Sequence, residues 1–203
     1  LMGVDNLRVT LNGPEVPIMD GSSEPFIRLI RKAGLERQQA PRQFMEMTEP
    51  LSVAMGESRL EIAPYDGFCL KIEVDYDHPV IGRQAAEYNF TRQRFTETLA
   101  KARTFGFAHE VEALKAMGLA RGGSLDNAIV LDESGILNTE GLRFDDEFVR
   151  HKALDCVGDL FLAGYRLKGL VRAVKPGHQT NTALEQRTGR CLSLHQTPFL
   201  RLL

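Results

Sequence analysis

Cysteine is scarce in this chain of 203 residues: Cys69, Cys156 and Cys191 are the only three, and none forms a Cys-x-x-Cys pair. An odd number at wide spacing excludes a disulfide framework and a Cys-rich zinc site, and it fits a reducing compartment. Charge of one sign is lacking too, since 25 Lys plus Arg stand against 27 Asp plus Glu, a formal net charge of -2. No basic excess exists to gather nucleic acid or an anionic membrane, so an anionic ligand has to be held by a few placed cations. No run approaches the roughly 18 apolar residues that span a bilayer, and no basic-then-apolar leader opens the chain. Internal repeats and low-complexity tracts are absent as well. The expectation is a cytoplasmic protein without stable membrane insertion, and 43% apolar with 26% charged residues is a globular composition.

What is present reads as an α+β chain. Leu7 to Leu11 alternates apolar and polar residues as a half-buried strand does, and Asn12-Gly13-Pro14 supplies a turn. A second apolar stretch runs from Val16 to Met19. Pro25 to Gly34 carries a helix start, basic residues in its last turn and a glycine stop. The polar stretch Glu36 to Arg42 reads as a linker closing a first domain of residues 1–35. A meander of strands follows at Met45 to Met47, Leu51 to Met55, Ser58 to Pro64 and Phe68 to Tyr76. Tyr88 to Phe95 reads as another strand, Phe95 to Ala102 and Ala108 to Met117 as helices, and Ala128 to Leu131 as a buried run. The longest helix is expected from Asp145 or Asp146 to Ala163, with acidic residues in its first turn and Gly164 as its stop. Leu170 to Val174 is the last expected strand.

That long helix carries the chemistry. Val149, Ala153, Cys156 and Leu160 form one apolar stripe, and Leu154, Val157 and Phe161 form another beside it. Cys156 on its stripe reads as packing. In the narrow face that remains, His151, Asp155 and Asp159 follow at four-residue spacing. Such a pair of His151 and Asp155 presents an imidazole nitrogen and a carboxylate to one metal, or else forms an ordinary ion pair. His178, in the loop Lys175-Pro176-Gly177-His178 after a strand, suits a general acid or base oriented by Asp159, or is a surface histidine. His78 precedes Pro79 in a turn, and no partner is evident for His109 or His195.

Five ordered motifs carry a resemblance: Gly13 to Ser22, Asp75-Tyr76-Asp77-His78-Pro79, Ala102-Arg103-Thr104-Phe105-Gly106-Phe107, Gly122 to Ala128, and Gly141 to Phe144 running on to Phe148 to Asp155. Together they resemble the UDP-3-O-acyl-N-acetylglucosamine deacetylases, zinc amidohydrolases of lipid A biosynthesis in Gram-negative bacteria. The resemblance implies a two-domain fold layering helices on sheet, with the site between the domains. It implies that His151 and Asp155 bind zinc with a histidine from the first domain. A Glu-His pair upstream of the segment resembling Leu1 to Asn6 would supply that histidine and the general base. The first domain is thus expected to be truncated, and the chain as given to be inactive.

By position, the resemblance makes His178 the stabiliser of the tetrahedral oxyanion and the donor to the leaving amine, with Asp159 as its partner. Thr104 would help to bind the carbonyl oxygen. Phe105, Tyr76, Gly123 and Ser124 would line the substrate site. Lys152 and Lys175 would stand near the sugar and diphosphate. Residues 43–183 form the second domain in this reading, with an insert at about 108–131 forming a passage for the acyl chain. Residues 184–203 are expected to be a divergent tail, because the apolar stripe is lost after Asn181. The expected partner is UDP-3-O-acyl-N-acetylglucosamine, the cofactor zinc and the oligomeric state a monomer. A zinc amidohydrolase acting on another amide, or a non-catalytic remnant that binds nucleotide sugar, are the rival readings.

Overall fold

The structure, a computed structural model, describes residues 2–90, 94–110 and 124–188, together with the backbone of 192–197. The expected meander forms β1 (Arg42–Met47), β2 (Leu51–Met55), β3 (Ser58–Ala63) and β4 (Phe68–Tyr76). Alternation along these strands turns Met45, Met47, Val53, Leu60, Ile62, Leu70, Ile72 and Val74 into the core. The chain reverses at His78-Pro79 into β5 (Gly82–Asn89), antiparallel to β4 with Tyr76 opposite Gly82 and Cys69 opposite Asn89. The strand expected at Tyr88 to Phe95 therefore lies earlier in the chain. Its inward positions are Gln84, Ala86 and Tyr88, too polar and small to show as an apolar alternation, so pairing with β4 decides the strand.

Phe95–Thr98 forms the short helix α2, less than the expected helix to Ala102. Next come β6 (Phe105–Phe107), β7 (Ile129–Asp132) and β8 (Gly135–Ile136), a separate three-stranded sheet. Of the helix expected over Ala108 to Met117, residues 111–117 lie outside the described residues, as does most of the expected insert. Helix α3 (Glu147–Phe161) starts after Asp146, and Gly164 at φ 78° follows its end. β9 (Arg166–Val174) extends four residues earlier than the expected strand and is the hub of the large sheet. It runs parallel to β1 and β4 and antiparallel to β3.

Helix α4 (His178–Thr188) runs past the expected boundary at residue 184. Thr180, Leu184 and Thr188, four residues apart, are all buried, so small threonines occupy places where a large apolar stripe was sought. Helices α3 and α4 pack together on one face of the large sheet, with Val149, Ala153, Cys156, Val157, Leu160 and Leu184 in the same core as the strands. This two-layer arrangement of helix on sheet is the α+β class expected. β10 (Leu192–Thr197) extends the sheet antiparallel to β1. Among the described residues no helix is long and apolar enough to cross a membrane.

The strand expected at Leu7 to Leu11 does not form. Leu7, Val9 and Leu11 are 56%, 60% and 42% exposed, and among the described residues no strand pairs with them to complete a ladder. Helix α1 (Glu24–Ala33) forms as expected, with Arg31 and Lys32 in its last turn. Just before it, residues 20–23 are tied to the segment that follows the large sheet's first strands and to the start of α3. Thr104 N donates to Gly21 O at 2.8 Å, Ser23 Oγ to Ala100 O at 3.1 Å, and Arg143 Nη2 to Asp20 Oδ2 at 2.9 Å. Gly21 has φ 79°, and a Cβ there would run into the Asn127 carbonyl and stand 3.1 Å from Thr104 Cγ2. Only glycine permits this approach.

Candidate active site

The first two turns of α3 bury Phe148, Val149 and Ala153, and this fixes which way His151 and Asp155 point. His151 is 8% exposed. Its Nδ1 lies 3.1 Å from Ala102 O, and a carbonyl only accepts, so Nδ1 is the donor there. Nε2 in turn faces Asp155 Oδ1 at 3.2 Å. Two acceptors in that relation are favourable only with a proton or a metal cation on Nε2. Lys152 Nζ reaches Asp155 Oδ2 at 3.0 Å. Burial alone would raise the Asp155 carboxyl, yet His151 and Lys152 outweigh it and hold its pKa at about 2. Burial also opposes the charge on Lys152, and Asp155 with Tyr76 overcomes it, so the ammonium is favoured.

Aromatic rings wall this group. Phe105 stands edge-on to Phe148 at 5.0 Å and to Tyr76 at 5.6 Å, and its centroid is 6.3 Å from that of His151. Lys152 Nζ lies 5.7 Å from the Phe105 ring centre. Thr104, one residue earlier, is held through its backbone between Gly21 and Ile129, each hydrogen bond being 2.8 Å. One turn beyond Asp155, Asp159 Oδ2 accepts from His178 Nδ1 at 2.8 Å. The same oxygen accepts from Asn181 Nδ2 at 2.8 Å. His178 is 70% exposed by side chain.

A family model described as UDP-3-O-acyl N-acetylglycosamine deacetylase matches residues 1–188. The chain belongs to that family. The UDP-3-O-acyl-N-acetylglucosamine deacetylase of Acidithiobacillus ferrooxidans (strain ATCC 53993 / BNL-5-31) is 50% identical over 185 residues, covering 90% of this chain and 61% of that protein. That of Haemophilus influenzae (strain 86-028NP) is 49% identical over 185 residues with the same coverage. The chain thus spans about three fifths of the length of these relatives.

In this member of the deacetylase family the structure brings His151, Lys152, Asp155, Phe105 and Tyr76 into one group, and pairs Asp159 with His178. Lys175 stands apart from that group. Its Nζ pairs with Glu57 at 3.0 Å and Asp75 at 3.2 Å, both of which raise its pKa. Ser124 sits in a turn, its N donating to Asn127 Oδ1 at 3.0 Å, and Gly123 lies outside the described residues. Cys156 is fully buried, which together with Asp159 and Asp155 pushes its thiol up and out of reactivity.

Four residues escaped the sequence reading. Arg103 and Glu147 make a buried ion pair behind His151. In the sequence Arg103 reads only as a flank of Thr104, and the acidic start of α3 reads as a match to the helix dipole. Asn181 gave no signal beyond its place in the His178 loop. His78 turns out to be a structural staple: Val80 N donates to its Nδ1 at 3.3 Å, and Nε2 therefore donates to Asp132 O at 2.8 Å.

Proposed function

We propose that this chain serves in hydrolysis of the N-acetyl group of UDP-3-O-acyl-N-acetylglucosamine, releasing acetate, as a cytoplasmic step of lipid A biosynthesis in a Gram-negative bacterium. The relation between His151 and Asp155 carries the reading. The imidazole Nε2 of His151 and a carboxylate oxygen of Asp155 converge, and their nitrogen and oxygen chemistry suits zinc. Among the described residues no third His, Cys, Asp or Glu joins them, and the Glu-His pair implied by the resemblance is proposed to supply the third donor and the general base. Zinc bound there would lower the pKa of a water molecule and polarise the acetamide carbonyl.

The chain's own residues do the rest. The Ala102 carbonyl holds the His151 tautomer, as partners of metal-binding histidines do. Lys152 balances the Asp155 charge, while Phe105 and Tyr76 exclude water from one side. Asp159 fixes the His178 ring by its Nδ1, so that the exposed Nε2 donates a proton to the amine as the C–N bond breaks. The Thr104 hydroxyl donates to the carbonyl oxygen as negative charge builds there. Lys175, drawn from its carboxylates by a stronger anion, is proposed to meet the diphosphate.

Acetate release from UDP-3-O-acyl-N-acetylglucosamine tests the proposal. The 203-residue chain with added zinc is expected to release none, because two protein donors bind zinc weakly. Fusion of a family segment carrying the Glu-His pair is expected to restore zinc-dependent release. A zinc-loaded fusion without turnover would overturn the reading in favour of a nucleotide-sugar binding protein.

A further inference from the structure

The ion pair of Arg103 and Glu147 takes no part in the chemistry proposed above, yet its side chains are 4% and 0% exposed, the most buried pair among the described residues. A buried ion pair contributes little stability over packed apolar residues of like volume, so strength alone does not account for it. What it does is hold backbone. Through Oε1, Glu147, the first residue of α3, accepts from Arg103 N at 2.9 Å and Arg103 Nε at 3.0 Å. Through Oε2 it accepts from Arg103 Nη2 at 3.2 Å and from Arg143 N at 2.5 Å. Arg103 Nη1 donates to Glu140 Oε1 and Arg103 Nη2 to Gly141 O, each at 2.7 Å. Every nitrogen of Arg103, main chain and side chain, therefore has an acceptor.

The residue fixed in this way is the one before Thr104. Thr104 N donates to Gly21 O, and Thr104 O accepts from Ile129 N, both at 2.8 Å. The backbone of residues 103 and 104 is thus tied to three separate segments: α3, residues 20–23 and β7. Two hydrogen bonds at Thr104 hold it along one line and leave rotation about that line. The anchored N–H of Arg103 removes the rotation. Threonine has a single χ1 with three staggered wells, so an error in backbone direction passes on to its hydroxyl.

We propose that Arg103 and Glu147 are positioning residues that aim the Thr104 hydroxyl: the Glu147 carboxylate fixes residue 103 against α3 and thereby the direction of the next side chain. The consequence for catalysis rests on the role proposed above for Thr104; the aim of the side chain does not.

Two measurements test this. In the 203-residue chain, three-bond NMR couplings to the Thr104 Cγ2 methyl report χ1. The native chain is expected to show one staggered rotamer, and Glu147→Gln and Arg103→Lys to show couplings averaged over more than one. Leu60→Ala, a core truncation in β3, lowers stability without touching the pair and is expected to keep the native couplings. In the zinc-loaded fusion, Glu147→Gln is expected to lower kcat about 10- to 100-fold, as a misplaced group does, with KM changed by less than about threefold. Thr104→Val keeps the branched shape and removes the hydroxyl. In that background Glu147→Gln is expected to change kcat by less than about twofold, because residues that act as a unit are non-additive. Native couplings in folded Glu147→Gln or Arg103→Lys, averaged couplings in Leu60→Ala, or an undiminished loss of kcat in the Thr104→Val background would overturn the proposal. Should neither pair variant fold, Glu140→Gln removes only the half-exposed partner of Arg103, and a smaller averaging of the couplings is expected; unchanged couplings would overturn it. A fusion without turnover sinks the proposed function and leaves the couplings to decide the positioning.

Discussion

His178 and Asn181 donate to the same oxygen, Asp159 Oδ2, each from 2.8 Å. They sit three residues apart at the start of α4, the histidine open to solvent and the asparagine 1% exposed. Asn181 anchors Asp159 from inside the protein, and Asp159 holds the histidine from its rim. Asn181→Ala leaves a part-buried carboxylate short of one donor and opens a void. Chemical denaturation is expected to register a loss of about 1–3 kcal/mol.

If His178 is the proton donor to the leaving amine, its removal acts on turnover. His178→Ala in the zinc-loaded fusion is expected to lower kcat by about 100- to 10,000-fold with little effect on stability, since the ring is exposed. A decrease below tenfold would assign the proton to another group.

Gly21 meets Asn127 and Thr104 with a backbone that only glycine adopts freely. Gly21→Ala adds a strained positive φ, about 1–2 kcal/mol, and pushes the loop off Thr104. Hydrogen exchange at the Thr104 amide, which donates to Gly21 O, is expected to speed up well beyond that of neighbouring β6 amides.

Asp20 gives the same junction an acid sensitivity. Burial works to raise its pKa, but the Ser22 hydroxyl and amide and the Arg143 guanidinium outweigh it, so the pKa is lowered. A carboxyl depressed in the folded state stabilises above its unfolded pKa, and that contribution is lost as pH falls below about 4. Asp20→Asn is therefore expected to be less stable than the native chain at neutral pH. The gap should narrow on acidification, followed by denaturant titrations at several pH values.

Cys69 and Cys156 are buried, and burial raises both thiols. Neither is expected to react with a thiol reagent until the protein unfolds, as timed labelling read by peptide mass would establish.

Much of this was legible from local pattern. The strands β1 to β4, the ends of α1 and α3 and the partial burial of the His151 face follow from alternation, helical spacing and glycine stops, which neighbours along the chain set between themselves. The lost strand at Leu7 to Leu11 shows the limit: an alternating run becomes a strand only when another lies beside it. β5 is the converse, a strand with almost no pattern of its own that exists because β4 offers a ladder. Helix α4 continues to Thr188 because the core accepts threonine where an apolar residue was sought.

For the site, the four-residue spacing of His151, Asp155 and Asp159 on one helix face was settled by the sequence alone, since a helix repeats every 3.6 residues whatever surrounds it. Which nitrogen of His151 faces Asp155, which carboxyl oxygen His178 and Asn181 share, and why Arg103 is buried were decided only in three dimensions. Those facts depend on a carbonyl 49 residues away, an amide 22 residues from its acceptor and a carboxylate 44 residues from its guanidinium. Hydrogen bonds of that reach have no periodicity to read, because the tertiary fold and not the local chain brings donor to acceptor.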